Sequence, residues 1–368
     1  MKTVDQVIEN FTLKYPLSSI CAPERALFLD IETTGFTAKS SMLYMIGCAY
    51  PDANESWHTI QWMAEAPDEQ TTILQAFFDF VREDRFLIHF NGNQFDLTYL
   101  RNKCEELELL YSFDTFEGLD LYRRISPCKR LLNLVHCKQK SIEEFMGIHR
   151  EDIYTGGDLI AVYQDYLKNP TKEACDVLLL HNREDLIGML SILPILAYSD
   201  ALNAPLKAKK VQANHYRDMD DIHRLELLIT VSLPHAVPVP LTVSAEGCFC
   251  RLEGEEAVIR VPVYEETLKY FYSNYKDYYY LPEEDLALHK SVATFVDKDH
   301  RVQATAQTCY TRKNSVYLRQ WDYIFAPFFK RDYKDPELFF ELTDEMKKNR
   351  SAFAVYASHI LNMVAKHA

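Results

Sequence analysis

Asp30 and Glu32 stand two residues apart at the end of the apolar run Leu27-Phe28-Leu29, directly before Thr33-Thr34-Gly35. In a strand, residues i and i+2 project from one face, so the two carboxylates would share one small volume. Like charges held that close are costly unless something positive lies between them. Hard divalent cations with oxygen ligands are the usual resolution. A solvated strand end carrying two unrelated acids is the other reading of this segment. Asp96 adds a third acid. It follows an apolar strand at 86–90 and the turn dipeptide Asn91-Gly92, in the first turn of a helical pattern with Phe95, Tyr99 and Leu100 on its buried side. There it is either a helix N-terminal acid near the positive end of the dipole or a further ligand. His181 and Asp185 are four apart in a periodic helix expected over about 172–196, hence neighbours on one face. Leu178, Leu180, Leu186 and Met189 surround them, where an unpaired charge would be expensive.

In chain order, Asp-x-Glu-Thr-Thr-Gly (30–35), Asn-x-x-x-Phe-Asp-x-x-Tyr-Leu (91–100) and His-Asn-Arg-Glu-Asp (181–185) resemble the three exonuclease motifs of the DEDD superfamily. That group includes the DnaQ-like proofreading exonucleases and has a ribonuclease H-like fold. The resemblance is nearest to the YprB-like branch and to the proofreading domain of family B DNA polymerases, and it spans residues 24–197. It implies a 3′–5′ exonuclease acting on single-stranded DNA or RNA ends. It assigns Asp30, Glu32, Asp96 and Asp185 as metal-binding carboxylates for two Mg²⁺ or Mn²⁺ ions, and His181 as the residue that orients or deprotonates water. Family members carry either Tyr four residues before the last Asp or His five before it. This chain has His181 at the four-before position and Leu180 at the five-before position. Thr33, Thr34 and Gly35 fall where the terminal nucleotide sits in relatives, and Asn91 is placed to contact phosphate or sugar. Asp120, in Gly-Leu-Asp-Leu-Tyr, is either a supporting acid or a structural cap.

The residue types suit phosphodiester hydrolysis. Two divalent ions roughly 3.5–4 Å apart lower the pKa of an attacking water and neutralise the leaving oxygen. An all-oxygen ligand set favours magnesium or manganese over zinc. An imidazole, with an intrinsic pKa of about 6.5, is suited to accept a proton from water near neutral pH. The same residues leave two rivals open: a structure-selective endonuclease, and a catalytically silent nucleic-acid-binding or scaffold protein that keeps the fold.

These residues need a sheet and two helices to bring them together. Strands are expected at 26–31, 42–50, 56–63, 86–90 and near 113–119, and helices at 67–84 and 93–110. A turn at Thr155-Gly156-Gly157-Asp158 leads into a helix of about ten residues, before the long helix that carries His181. The order fits an α/β chain with a ribonuclease H-like mixed sheet flanked by helices, over residues 1–200. Residues 201–217 read as a linker and 218–368 as an α+β accessory domain. In it, strands are expected at Leu225–Leu233, Leu241–Arg251 and Glu256–Tyr264, with helices at Glu283–Val296 and Pro336–Lys366. The run Tyr270, Phe271, Tyr272, Tyr275, Tyr278, Tyr279, Tyr280, followed by Arg312, Lys313, Arg319, Lys330 and Arg331, either stacks bases or forms half-buried strands.

The 368 residues suffice for two domains, and 48% hydrophobic content with 13% aromatics indicates a well-filled core. No apolar run of transmembrane length is apparent, and the N-terminus lacks a signal-peptide core. Nine cysteines without metal-knuckle spacing read as reduced thiols in a cytoplasm. Protein partners are not legible. The net charge of −14 predicts salt-sensitive rather than avid nucleic-acid binding. Residues 121–140 are the exception, with Arg123, Arg124, Lys129, Arg130, Lys138 and Lys140 and no acid. They form either a phosphate-tracking surface or a solvated face.

Overall fold

The computed structural model describes residues 1–81, 84–113 and 115–367, which divide into two compact units, Met1–Ser199 and Asp200–Ala368. In the first unit, strands β1 (Lys2–Val7), β2 (Ala26–Thr33), β3 (Leu43–Pro51), β4 (Trp57–Met63), β5 (Phe86–His89) and β6 (Glu117–Asp120) form one sheet. Their order is β1-β4-β3-β2-β5-β6. β2 lies antiparallel to β3 and parallel to β5, so the sheet is mixed, as expected. Helices α1 (Gln70–Phe80), α2 (Asp96–Glu106), α3 (Leu121–Ile125), α4 (Gln139–Met146), α5 (Gly156–Lys168) and α6 (Lys172–Ile192) complete the unit.

Alternation along β2 decides which face the acids take. Leu27, Leu29 and Ile31 join a buried cluster with Ile73, Leu74 and Phe77 of α1 and Leu97 and Leu100 of α2. Phe28, Asp30 and Glu32 therefore project from the opposite face. A second cluster joins Tyr44, Met45 and Met63 to Leu159 and Tyr163 of α5 and Leu178 of α6. α5 opens on a capping box between Thr155 and Asp158, and α6 is N-capped by Thr171.

Several boundaries differ from expectation. α1 is shorter than 67–84, starting after a 3₁₀ turn at Pro67–Glu69; residues 82 and 83 of that span lie outside the described residues, as does residue 114 of the strand expected near 113–119. α2 is shorter than 93–110. α6 closes at Ile192, and a 3₁₀ turn containing Pro194 leads into α7 (Leu196–Asn203). By length and composition the stretch Lys172–Asn203 could cross a bilayer, but 78% of its most apolar window is buried in the protein.

The second unit is β-rich, and most of its local expectations are corrected. The stretch 201–217 is not a linker: β7 (Lys207–Arg217) pairs along its length with β8 (His223–Ala245), which pairs with β9 (Cys248–Pro262). A lysine-rich, largely exposed edge strand reads as linker because its ladder is made by backbone. β8 is one long strand. Its pairing to β9 is interrupted on either side of Val237, between Ser232 and Leu241, where Pro234, Pro238 and Pro240 supply no amide donor. The hairpin turn sits at Glu246-Gly247, both at positive φ, inside the strand expected at Leu241–Arg251. Further strands are β10 (Tyr264–Phe271), β11 (Tyr278–Leu281), β12 (Leu286–His289), β13 (Val302–Gln303), β14 (Tyr310–Gln320), β15 (Phe328–Phe329) and β16 (Leu338–Glu341). They form sheets ordered β10-β14-β16-β15 and β12-β11-β13. The helix expected at 283–296 is instead the β11–β12 hairpin and a one-turn helix at Lys290–Ala293. The helix expected at 336–366 begins as β16, whose Phe339 and Phe340 are buried, and becomes long helix only over Arg350–His367.

The tyrosine run packs on itself. Tyr272 and Tyr278 stack at 4.6 Å, and Tyr270 packs against Phe329. Nearby cations are neutralised: Arg312 by Asp285, Lys313 by Glu341, and Arg331 by Glu266 and Glu337. The nine cysteines are free thiols.

Candidate active site

β2 pairs with β5 only as far as Phe28 opposite Ile88, so its last residues lose a ladder partner on that side. The freed amide of Ile31 donates to Oδ1 of Asp96 at 3.3 Å, which ties the first residue of α2 to the acidic end of the strand. On the other side Asp30 lies opposite Gly47 of β3, where α6 crosses the sheet. A Cβ at Gly47 would lie 2.0 Å from Oδ1 of Asn182 and 2.9 Å from Cδ1 of Leu186. Glycine is what lets the helix approach. Asn182, fully buried, donates from Nδ2 to Asp30 at 2.8 Å and accepts from Gln61 at 2.9 Å.

One turn of α6 then delivers the rest. Glu32, His181 and Asp185 each offer a ligand atom, all within 4.8 Å of one another. His181 Nε2 lies 3.7 Å from Glu32 Oε1 and 3.4 Å from Asp185 Oδ2. Its Nδ1 lies 2.7 Å from Oδ2 of Asp152. Tyr44 donates its hydroxyl to Glu32 at 3.4 Å. Arg150 donates to Asp185 Oδ1 at 2.5 Å and grips both oxygens of the buried Glu143. Gly188 makes room for that pair, since a Cβ there would lie 2.2 Å from Glu143 Oε1.

The electrostatics follow from packing acids together out of water. Burial, then the charges of Asp185, Glu32 and Asp96, hold the Asp30 carboxyl well above the usual carboxylate range, against the Asn182 hydrogen bond. Glu32 is likewise raised, by burial and then by Asp185. Asp96 is pushed up to about 7, chiefly by burial, although backbone amides oppose the shift. Asp152 goes the other way. Burial raises it, but the Tyr154 amide and His181 more than offset that, and its carboxyl is held below the ordinary range.

Of the residues singled out in sequence, Asp30, Glu32, Asp96, His181 and Asp185 converge. Thr33, Thr34 and Gly35 form a closed turn: Thr33 Oγ1 donates to Gly35 O, and Thr34 Oγ1 accepts from Met42 N. The buried Lys103 of α2 pins the neighbouring loop by donating to the carbonyls of Ala38 and Ser41. Asn91 sits at φ 62° and donates its amide to Oδ1 of Asp120 at 2.9 Å, whereas the Asp120 side chain caps no amide of α3 and its charge is among those acting on Asp96. Asn91 Oδ1 and Asp120 Oδ2 are both buried without a hydrogen-bond partner. Arg123 and Arg124 are exposed on α3, directly after Asp120. Lys140, from the basic stretch, turns inward to Asp152 and to the Tyr154 carbonyl. Sequence reasoning misses Asp152, Arg150, Glu143 and Asn182. Only Asn182 leaves a signal, its place inside the His-Asn-Arg-Glu-Asp motif.

Glu32, His181 and Asp185 form a group that could hold a divalent cation, and a cation would relieve the crowding of negative charge among Asp30, Glu32, Asp96 and Asp185. A family model described as the RNase_H superfamily matches residues 27–197. No curated protein matches the chain. Among solved structures, a zinc-bound complex of Escherichia coli exonuclease I with single-stranded DNA is similar at 14% identity and a TM-score of 0.29, over 57% of this chain and 55% of that one. E. coli exonuclease I with a dA16 oligonucleotide matches at 13% identity and a TM-score of 0.29, over 57% and 55%. The same enzyme with a 5cy-dA13 oligonucleotide matches at 12% and 0.27, over 93% and 72%. The chain spans about half the length of the first two.

Proposed function

We propose, for a chain whose residues 27–197 match a family model of the RNase_H superfamily, that the cluster on β2, α2 and α6 is the active site of a metal-dependent nuclease. In the finer reading it removes nucleotides from free 3′ ends of single-stranded nucleic acid. The observation that carries the reading is the crowding of half-buried Asp30 and buried Glu32 and Asp96, all with raised carboxyl pKa values, around Asp185. A fold keeps such a liability when a cation resolves it.

Asp30, Glu32, Asp96 and Asp185 would hold two divalent ions, which when bound supply Lewis acidity toward water and the leaving oxygen. The protein's own groups divide the remaining work. Asn182 fixes the Asp30 carboxylate, and the Ile31 amide fixes Asp96. His181 directs Nε2 toward Glu32 and Asp185, where it accepts the proton of an attacking water. The turn at Thr33–Gly35, braced through Lys103, seats the terminal nucleotide. One observation favours a second reading. Arg150 already neutralises Asp185 Oδ1, as it would in a silent relative that binds nucleic acid without turnover.

Incubating the protein with Mg²⁺ or Mn²⁺ and end-labelled single-stranded DNA and RNA, each with a free or blocked 3′ end, separates the readings. Stepwise, metal-dependent shortening from free 3′ ends, lost in Asp185→Ala, is expected. Cleavage indifferent to the block means an endonuclease. Binding with no cleavage under either metal leaves the silent relative.

A further inference from the structure

We propose that Asp152 is a positioning residue: by accepting the Nδ1 proton of His181 it fixes the tautomer and ring orientation that present a bare Nε2 to Glu32 and Asp185. The inference deepens the nuclease reading and rests on it for the use made of Nε2.

The geometry is asymmetric. Nδ1 is at hydrogen-bond distance from Asp152 Oδ2, 2.7 Å, whereas Nε2 is 3.4 and 3.7 Å from the two carboxylates it faces. The Asp152 side chain is 1% exposed, yet both its oxygens are satisfied. Oδ1 accepts the Tyr154 amide at 3.0 Å, and Oδ2 accepts His181 with Lys140 at 3.4 Å. An acceptor surrounded only by donors stays ionised and has no proton to give. The proton between Oδ2 and Nδ1 therefore belongs to the ring, and the neutral imidazole keeps its lone pair at Nε2.

The loop that carries Asp152 is hooked to the same helix as His181. Glu184, three residues beyond His181, accepts the backbone amides of Glu151 and Asp152 with its two oxygens, at 2.9 and 2.8 Å. Helix α6 thus holds the ring directly and the ring's partner through one carboxylate, so the two move as a unit.

Histidine labelled with ¹⁵N reports the tautomer without any need for turnover, with the His181 signals assigned by their loss in His181→Gln. In the wild-type protein, at a pH where the ring is neutral, Nδ1 is expected protonated and Nε2 not. In Asp152→Ala the ring should relax toward the Nε2–H form that the free histidine side chain prefers. In kinetics, Asp152→Ala should lose about 10–100-fold in kcat, the usual effect of removing a histidine's orienting partner, with KM little changed. His181→Ala/Asp152→Ala should be no slower than His181→Ala alone. A wild-type Nε2–H tautomer, an unchanged tautomer in Asp152→Ala, or additive losses in the double variant overturns the proposal. The wild-type spectrum decides the tautomer even if Asp152→Ala does not fold. A protein with the expected tautomer that cleaves no substrate sinks the nuclease reading and leaves the Asp152–His181 assignment in place.

Discussion

At the scale of single residues, Asp96 shows what the site costs the metal-free protein. Its carboxyl is pushed to about 7, far above the unfolded value of about 3.9, so the native state binds this proton more tightly than the unfolded chain. The stability this contributes is complete below about pH 4 and is lost as pH rises through 7. Asp30 and Glu32 are raised in the same direction. Metal-free protein in chelator should therefore become less stable between pH 5 and pH 8. Asp96→Asn, which can still accept the Ile31 amide, should remove about 1–3 kcal/mol of that decline while abolishing hydrolysis. Urea denaturation of both proteins at the two pH values checks this. Wild-type stability that climbs with pH would remove Asp96 from the acid cluster.

At the scale of elements, the contact between α6 and β3 sets the distance from Asp185 to the strand acids. Gly47→Ala should press on Asn182 and Leu186 and cost about 1–3 kcal/mol, as overpacking does, with weakened metal affinity although no ligand is changed. Adding Asn182→Ala should return part of the stability, and thermal denaturation of the four proteins in this cycle reads the coupling. Stability equal to wild type in Gly47→Ala would mean that the helix stands off the sheet. The elements that carry the ligands are legible in sequence, because the apolar run before Asp30 and the periodicity around His181 are local patterns. Asp152 and Arg150 are not legible. Their partners lie 29 and 35 residues further on, and an acid in a loop reads as solvated until Glu184 is seen holding its backbone. β7 reads as a linker and the β12 segment as part of a helix for a different reason: their ladders are made by backbone groups of neighbouring strands, which leave no mark on the side-chain pattern.

Across the whole molecule, charge is the property a nucleic-acid partner meets first. Residues 1–200 hold 31 acids against 18 Lys and Arg, and residues 201–368 hold 23 against 22. Within the acidic half, Arg123, Arg124, Lys129 and Arg130 form an exposed basic run, while Lys140 is committed to Asp152. Changing those four to Glu should weaken binding of a single-stranded oligonucleotide and flatten the slope of log affinity against log salt, since fewer counterions would be released. Fluorescence anisotropy over a salt series measures it, and an unaltered slope would make the run a solvated face.

The buried acid cluster also makes metal loading a chemical source of acid. Carboxyls that hold protons near neutral pH must surrender them to become ligands, so the reaction consumes metal and emits hydrogen ions in a countable ratio. The heat of titrating Mg²⁺ into the protein at pH 6.5 should then depend on the ionisation enthalpy of the buffer, with a slope of at least one proton per protein. The slope should be smaller in Asp96→Asn, where one of the displaced protons is no longer there to be released.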